Sequence, residues 1–418
     1  MAFESLRSTA SSRGPWREGA RREGSLGRGL GRGKGGVLYL TVGCFDKGGI
    51  SRYNRYQITA LRELLGEDAI RVYSVRGPAE GDFETPFSVT WSAGGSDPER
   101  GATATQKLAL AARVAADALL CRPRVILAAH VYLSSLAVAL ARVVRARSAV
   151  DVYGLEVWSG LRPDSAWGLR ASDLVIADCR FTAEYVREAR LRPPGAPTAV
   201  LRDCVDTERF RPGAPRPEVV RRYGIPDPER HVNVLTLGRI APEAAHKGYD
   251  RLLEAFGRAA PAAPALRLVY AGKGALVPEL RRQAEARGLG DRVVFTGMVH
   301  EDDLADVYRS AHVFSLVSDR GHRRGEGIPL TPLEAAACGK PILVGDQDGS
   351  QEAAADGVTG YVLDPFDAAA HRDRLLRLAT DADQRARMGR AGRARILEHH
   401  DYRVFREGMR RLLEAHHA

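Results

Sequence analysis

The sequence predicts an α/β protein made of two Rossmann-like units. Three observations predict it. Short apolar runs recur along the 418 residues, separated by segments of helical period, as in a parallel sheet buried on both faces. Each half opens with a strand, a glycine turn and a helix, the first from residue 37 and the second from residue 232. Between them lies a proline-rich stretch (Pro212, Pro215, Pro217, Pro226, Pro228) that reads as a linker. The expected boundaries are a basic disordered tail at 1–35, a first unit at 36–210, a linker at 211–230, a second unit at 231–398 and a final helical segment at 399–418.

Residues 1–35 lack periodicity and are rich in Gly and Arg, which argues for disorder. The string Gly31-Arg32-Gly33-Lys34-Gly35-Gly36 precedes a strand instead of following one, and no Ser or Thr follows its Lys. A phosphate loop is therefore not expected there. Residues 37–42 form a buried-strand run. Gly48 and Gly49 then stand in a turn before a helix, where the lack of a Cβ lets a ligand approach the backbone. A strand follows at 70–75 and an amphipathic helix at 105–120. The strand at 125–130 ends on His130, at the sheet edge where ligands bind in open α/β folds. A strand-end histidine bonded to a neighbouring carbonyl would look the same. Strands at 149–152 and 174–177 complete the main run. The first of these is followed by Tyr153-Gly154-Leu155-Glu156-Val157-Trp158.

In the second half, Arg239 ends the strand 232–237, and Lys247 precedes a helix with Leu252, Leu253 and Phe256 on one face. Both cations point to one sheet edge. So do the loops Gly272-Lys273-Gly274 and Thr296-Gly297. The apolar run 313–317 leads to Gly325-Glu326-Gly327-Ile328-Pro329-Leu330-Thr331-Pro332-Leu333-Glu334-Ala335. A helix is expected over 333–338, stopped by Gly339 with Pro341 beyond it. Its N-terminus offers free N–H groups and the positive end of a dipole, which suits a phosphate. Glu326 and Glu334 flank the turn, placed to accept hydrogen bonds from hydroxyls at either end of a bound diphosphate. A solvated Glu and a Glu favoured by the helix dipole would have the same spacing.

Glu-x7-Glu in the setting Glu-Gly-Ile-Pro-Leu-Thr-Pro-Leu-Glu-Ala resembles the signature of retaining glycosyltransferases of family 4. The resemblance runs from about residue 37 onward and implies the GT-B fold, two Rossmann-like domains facing each other across a cleft. Pro329 stands where the family pattern has Gly, which removes one N–H from the phosphate loop. The Gly238-Arg239 and Lys247-Gly248 pairs match the family's Gly-Arg and Lys-Gly. The resemblance implies that Arg239 and Lys247 grip the diphosphate and that Glu334 holds the ribose. Glu326 would hold sugar hydroxyls, and His130 would bond the donor sugar. Gly48, Gly49, Gly238, Gly297, Gly327, Ile328, Leu330 and Thr331 would line the donor. Glu156 and Trp158 would meet the acceptor, because their segment resembles the family's His-Gly-x-Glu-x-Trp. The implied activity is metal-independent, retaining transfer of a hexosyl group. The donor would be UDP- or GDP-linked and the acceptor a sugar or a lipid-linked sugar, in the synthesis of polysaccharide, glycolipid or glycoconjugate. No cofactor is expected. Asp346-Gln347-Asp348 looks like the metal site of a different glycosyltransferase fold and is not expected to bind metal here. The alternatives are a nucleotide-sugar epimerase of the same fold and a non-catalytic nucleotide-sugar-binding protein.

Composition agrees with a globular protein: 44% hydrophobic and 27% charged. Half of the net charge of +10 lies in residues 1–36. The mildly basic body suits an anionic ligand or lipid surface, and no nucleic-acid module can be read, so no nucleic-acid partner is expected. Five dispersed cysteines offer neither metal spacing nor a disulfide framework. The longest apolar run, 131–144, is interrupted by Ser134, Ser135 and Arg142. The expected location is the cytoplasm, with peripheral contact at the inner membrane face.

Overall fold

In the computed structural model the described residues are 36–46, 48–79, 85–92, 103–321 and 325–417. The tail at 1–35 lies outside them. Within them the strands form two sheets. The first holds β1 (Val37–Thr41), β2 (Ile70–Ser74), β3 (Trp91–Ser92), β4 (Val125–Ala128), β5 (Arg147–Val152), β6 (Leu174–Ala177) and β7 (Thr198–Val200). Their spatial order is β3-β2-β1-β4-β5-β6-β7. The second holds β8 (Val232–Leu237), β9 (Leu266–Ala271), β10 (Val293–Gly297), β11 (Val313–Leu316), β12 (Ile342–Gly345) and β13 (Gly360–Leu363), in the order β10-β9-β8-β11-β12-β13. Every pairing between these strands is parallel. This is the two-unit α/β architecture that the alternation of strands and helices predicts.

Strand order reverses between β1 and β4 and again between β8 and β11. A crevice opens outside the carboxyl ends of the strands at such a point. Burial explains why the strands were readable. Every residue of β1, β6, β11 and β12 is buried, so each is a continuous apolar run flanked on both faces by helices.

The helices follow local chemistry. Ala104–Cys121 starts at a capping box, with the Gln106 amide donating to Thr103 Oγ1 (3.2 Å) and the Thr103 amide to Gln106 Oε1 (2.8 Å). The helix after β11 spans Leu330–Ala337 and begins three residues before the expected start. Pro329 serves as N-cap, and Pro332 sits in the first turn, where a missing N–H costs nothing. Two helices follow β13, Ala368–Thr380 and Ala382–His399. Asp381 divides them and caps the second through Gln384 N–H (2.7 Å). Ser350 lies in a single 3-10 turn, Gly349–Ala353.

The last helix, Tyr402–His417, lies on Gly49–Leu65. Phe405 and Met409 enter the core of the first sheet, and Phe405 meets Tyr53 edge-on at 5.3 Å. His400 just before it is no solvated tail residue. It is buried, and its Nδ1 pairs with the Asp203 carbonyl at 2.9 Å. Among the described residues no helix is long and apolar enough to cross a membrane.

Candidate active site

The loop after β11 carries Glu326, and its backbone is fixed from both sheets. From its own sheet, Asp348 accepts from the Glu326 amide (2.9 Å), the Ser318 hydroxyl (2.9 Å) and the Ser350 amide (2.9 Å). The Gly349 amide donates to the Glu326 carbonyl at 3.0 Å. Asp348 is thus committed to holding the loop. From the first sheet, Asp178 at the end of β6 accepts from the Ile328 amide at 3.0 Å. Gly327 makes that approach possible, because a Cβ there would stand 1.9 Å from Asp178 Oδ2 and 2.3 Å from the Tyr153 carbonyl. The Ile328 N–H is therefore taken by a first-domain carboxylate, so any part this residue has in lining a donor does not come from that group.

The Glu326 side chain meets the end of the loop after β8. Lys247 Nζ lies 2.6 Å and His246 Nε2 2.8 Å from the same oxygen, Oε1. Burial pushes the carboxyl pKa up, but Lys247 and then His246 outweigh it and hold it at about 2. Oε2 receives no hydrogen bond from the described residues. Two glycines frame this junction. The Lys247 stem passes Gly238, where an added Cβ would stand 3.6 Å from Lys247 Cδ. Gly248 has φ of +72°, and a Cβ there would come within 2.7 Å of the Val317 carbonyl. Only glycine lets the chain turn this tightly against β11.

Arg239, at the end of β8, is exposed. Its carbonyl accepts from the Tyr249 hydroxyl (3.1 Å), while its guanidinium has no ion pair among the described residues. At the helix N-terminus, Leu330 and Thr331 follow Pro329, and Thr331 Oγ1 is buried without a hydrogen-bond partner. One free cation, one shared cation, first-turn amides and an unpartnered hydroxyl thus collect at one sheet edge. Such a set can hold a diphosphate and stabilise charge growing on it.

The first sheet supplies the opposite wall. Gly48 and Gly49 start the helix Gly49–Leu65 and are exposed. A Cβ on Gly49 would stand 3.9 Å from Leu330 Cδ1, so the two helix N-termini face each other. His130 caps the turn after β4 and is buried. Its Nδ1 accepts from the Tyr132 amide (3.3 Å), which puts the ring proton on Nε2. Burial lowers its pKa to about 4, so the ring is neutral near pH 7. Its ring lies 6.4 Å from that of Tyr153, whose carbonyl abuts Gly327.

Three further expectations need correction. Glu334 does not present a free carboxylate to a ribose. It is buried, Oε1 is paired with Arg52 from the first domain, and Oε2 accepts from the Tyr308 hydroxyl at 2.7 Å. Trp158 is not an open stacking surface for an acceptor. It is buried against Phe181 and Tyr185, with ring centroids at 5.6 and 6.2 Å. Glu156 is buried as well and accepts from the Tyr153 amide at 2.5 Å within its own turn. Burial raises its pKa to about 7. Gly297 ends β10, two strands from β8, and its carbonyl accepts from Gly272 at 2.9 Å. This sets it beside the loop 272–274, the neighbour expected of it on this edge, and needs no correction. Among the described residues no group of three His, Cys, Asp or Glu side chains could hold a metal ion.

Sequence reasoning missed His246, Arg52, Asp178 and Asp348. His246 left a signal as the neighbour of Lys247 in the loop after β8, and Asp348 stood out only within Asp346-Gln347-Asp348, where its part in holding the Glu326 loop was not foreseen.

Comparison with known proteins places these features in company. Residues 222–395 match the family model described as glycosyl transferases, group 1. A GDP-mannose-dependent alpha-(1-6)-phosphatidylinositol monomannoside mannosyltransferase of Mycolicibacterium smegmatis is 33% identical over 272 residues, 63% of this chain and 69% of that protein. A D-inositol 3-phosphate glycosyltransferase of Streptomyces avermitilis is 35% identical over 231 residues; the match covers 53% of this chain and about half (47%) of that protein. Among solved structures, HepE of Anabaena in complex with UDP and glucose superposes with a TM-score of 0.72 at 17% identity, covering 90% of this chain and 99% of that one. Sucrose-phosphate synthase of Thermosynechococcus elongatus gives 0.70 at 19% identity, covering 91% and 98%. At these identities the two structures speak for the GT-B fold alone.

Proposed function

This chain belongs to the group 1 glycosyl transferases, and we propose that it is a retaining, metal-independent hexosyltransferase. Its donor is a nucleoside-diphosphate sugar, and its acceptor is the hydroxyl of a sugar or a lipid-linked sugar. The observation that carries this reading is the Lys247–Glu326 pair at the sheet edge where Arg239 follows β8 and the helix Leu330–Ala337 begins after β11.

The hard step is departure of the nucleoside diphosphate, because negative charge grows on its terminal phosphate oxygen. Arg239 is free to take that phosphate in two parallel hydrogen bonds. Lys247, the Leu330 and Thr331 amides and Thr331 Oγ1 add donors in fixed positions, where they need no reorganisation during reaction. Glu326 accepts sugar hydroxyls at Oε2. His130, neutral with its proton on Nε2, donates to the sugar from the opposite wall. Gly48 and Gly49 leave room for the donor at the opposing helix start. In front-face transfer the bond from C1 to the leaving phosphate oxygen breaks as the acceptor oxygen bonds C1 on the same face. The acceptor proton passes to the departing phosphate.

The activity named for the Mycolicibacterium relative makes GDP-mannose the first donor to try and a phosphatidylinositol-type glycolipid the first acceptor. UDP-glucose is the second donor. Peripheral membrane contact is supported by the exposed Leu108, Leu119, Leu120 and Val143, which stand among Arg113, Arg122, Arg142 and Arg145. The test is a thermal-shift screen with GDP-, UDP- and ADP-sugars, then a product assay with and without acceptor. Sugar transferred to the acceptor with its anomeric configuration kept supports the reading. Donor converted to an epimeric nucleotide sugar with no need of acceptor would instead identify an epimerase, and stabilisation by the donor without turnover a binding protein.

A further inference from the structure

We propose that His246 is a positioning residue for Glu326, aiming the carboxylate at the donor sugar. This rests on the reading above, in which Glu326 receives sugar hydroxyls. His246 occupies the short helical turn Pro242–Lys247 and is 7% exposed. Its backbone is pinned at the carbonyl, which accepts from the Asp319 amide (2.8 Å) and from Arg251 Nη2 (3.2 Å). The ring therefore has little freedom to turn. Its Nε2 lies 2.8 Å from Glu326 Oε1.

The chemistry of that contact is one-directional. A carboxylate held at about pKa 2 only accepts, so Nε2 must carry the proton. Nδ1 is buried and has no hydrogen-bond partner. The ring is thus a fixed donor to one oxygen and spends nothing elsewhere.

Lys247 Nζ reaches the same oxygen at 2.6 Å. A lysine is a flexible point charge and also has a phosphate to serve. Left with Lys247 alone, the carboxylate could follow the ammonium as the diphosphate binds and leaves. A buried imidazole cannot move with it. His246 thereby keeps Oε1 occupied and leaves Oε2 as the acceptor for the sugar. The division of labour is a rigid hydrogen-bond donor for aim and a mobile cation for charge.

The test compares His246→Leu with His246→Gln in the full-length protein. Gln keeps an N–H donor at similar reach, and Leu keeps apolar bulk. His246→Leu should lower kcat about tenfold, the size of one hydrogen bond to a charged group. Affinity for GDP or UDP, which lack the sugar, should stay unchanged. His246→Gln should recover most of the lost kcat. Wild-type kcat in His246→Leu overturns the proposal. So does an equal loss in both variants, which would mark a packing role. A second measurement does not depend on turnover. In the imidazole 15N NMR spectrum, the histidine signal missing from His246→Gln should be that of the Nε2–H tautomer. Finding the Nδ1–H tautomer overturns the proposal. The underlying functional reading fails separately, if Glu326→Gln keeps full transfer activity or if no nucleotide sugar is turned over by the wild type.

Discussion

Arg52 and Glu334 stand 282 residues apart in sequence and form an ion pair across the crevice. Arg52 lies in the first turn of the helix after β1, and Glu334 in the helix after β11. Arg52 also bonds Glu301 at 3.0 Å, which in turn holds Arg209 at 2.7 Å. Burial disfavours the Arg52 charge, but Glu334 and Glu301 more than offset it and push its pKa up. Both partners are nearly closed off from water, with side chains 12% and 3% exposed. Removing one of them leaves a buried charge without its counter-ion. Arg52→Met should therefore destabilise the protein by about 3 kcal/mol in urea denaturation. A loss below about 0.5 kcal/mol would mean that Tyr308 alone satisfies Glu334.

Arg239 is the opposite case, an exposed cation with no ion pair among the described residues. Arg239→Ala should leave the melting temperature unchanged. It should lower kcat by about 10²-fold, the size of losing one transition-state donor. Full turnover in this variant would remove Arg239 from the chemistry.

Metal independence has a direct check. Because Asp348 is spent on Glu326, Ser318 and Ser350, EDTA should leave the transfer rate unchanged. A loss restored by Mn²⁺ or Mg²⁺ would overturn that expectation.

Trp158 packs against Gly154 in its own turn and Gly325 in the loop after β11, with an added Cβ on each falling 2.7 and 3.0 Å from its ring. Trp158→Ala should cost about 3 kcal/mol of stability through the cavity it leaves. Trp158→Phe should keep the KM for acceptor within about twofold of wild type, a shift within the noise of one weak contact. A tenfold rise would return the residue to the acceptor site.

His400 sets a pH dependence. Burial, the largest effect, lowers its pKa to about 4, against 6.5 in the unfolded chain. Between these values the unfolded chain binds a proton that the folded one refuses, so stability falls as pH drops through that window. At pH 5.5 one such histidine costs about 1 kcal/mol relative to pH 7.5. Buried acids act in the opposite sense, with Asp151 raised to about 8 and Glu156 to about 7. The readable quantity is therefore a difference between proteins. His400→Asn keeps a donor for the Asp203 carbonyl and should lose less stability than wild type between pH 7.5 and 5.5. Parallel pH curves for the two would sink the assignment.

Some of this was legible in the sequence because burial on two faces writes a continuous apolar run. β1, β6, β11 and β12 were readable on that ground. β3 was not, since it is only Trp91 and Ser92, both half-buried. β13 starts on Gly360 and is short. Arg239, Lys247 and Glu326 could be picked out because strand ends and helix starts put them at one edge. Arg52 and Asp178 could not, because their partners lie on the other sheet and no local pattern encodes that. Trp158 was misread because sequence does not tell a buried aromatic from an exposed one beside the same turn.

The Asp178–Ile328 bond ties the loop bearing Glu326 to a sheet it does not belong to. Any swing that parts the two halves must either snap this tether or drag the loop along. In the first event Asp348 and Gly349 still hold the Glu326 backbone from its own sheet; in the second those bonds are the ones strained. The loop thus answers to both halves of the molecule, and a change in their spacing is felt first at the carboxylate.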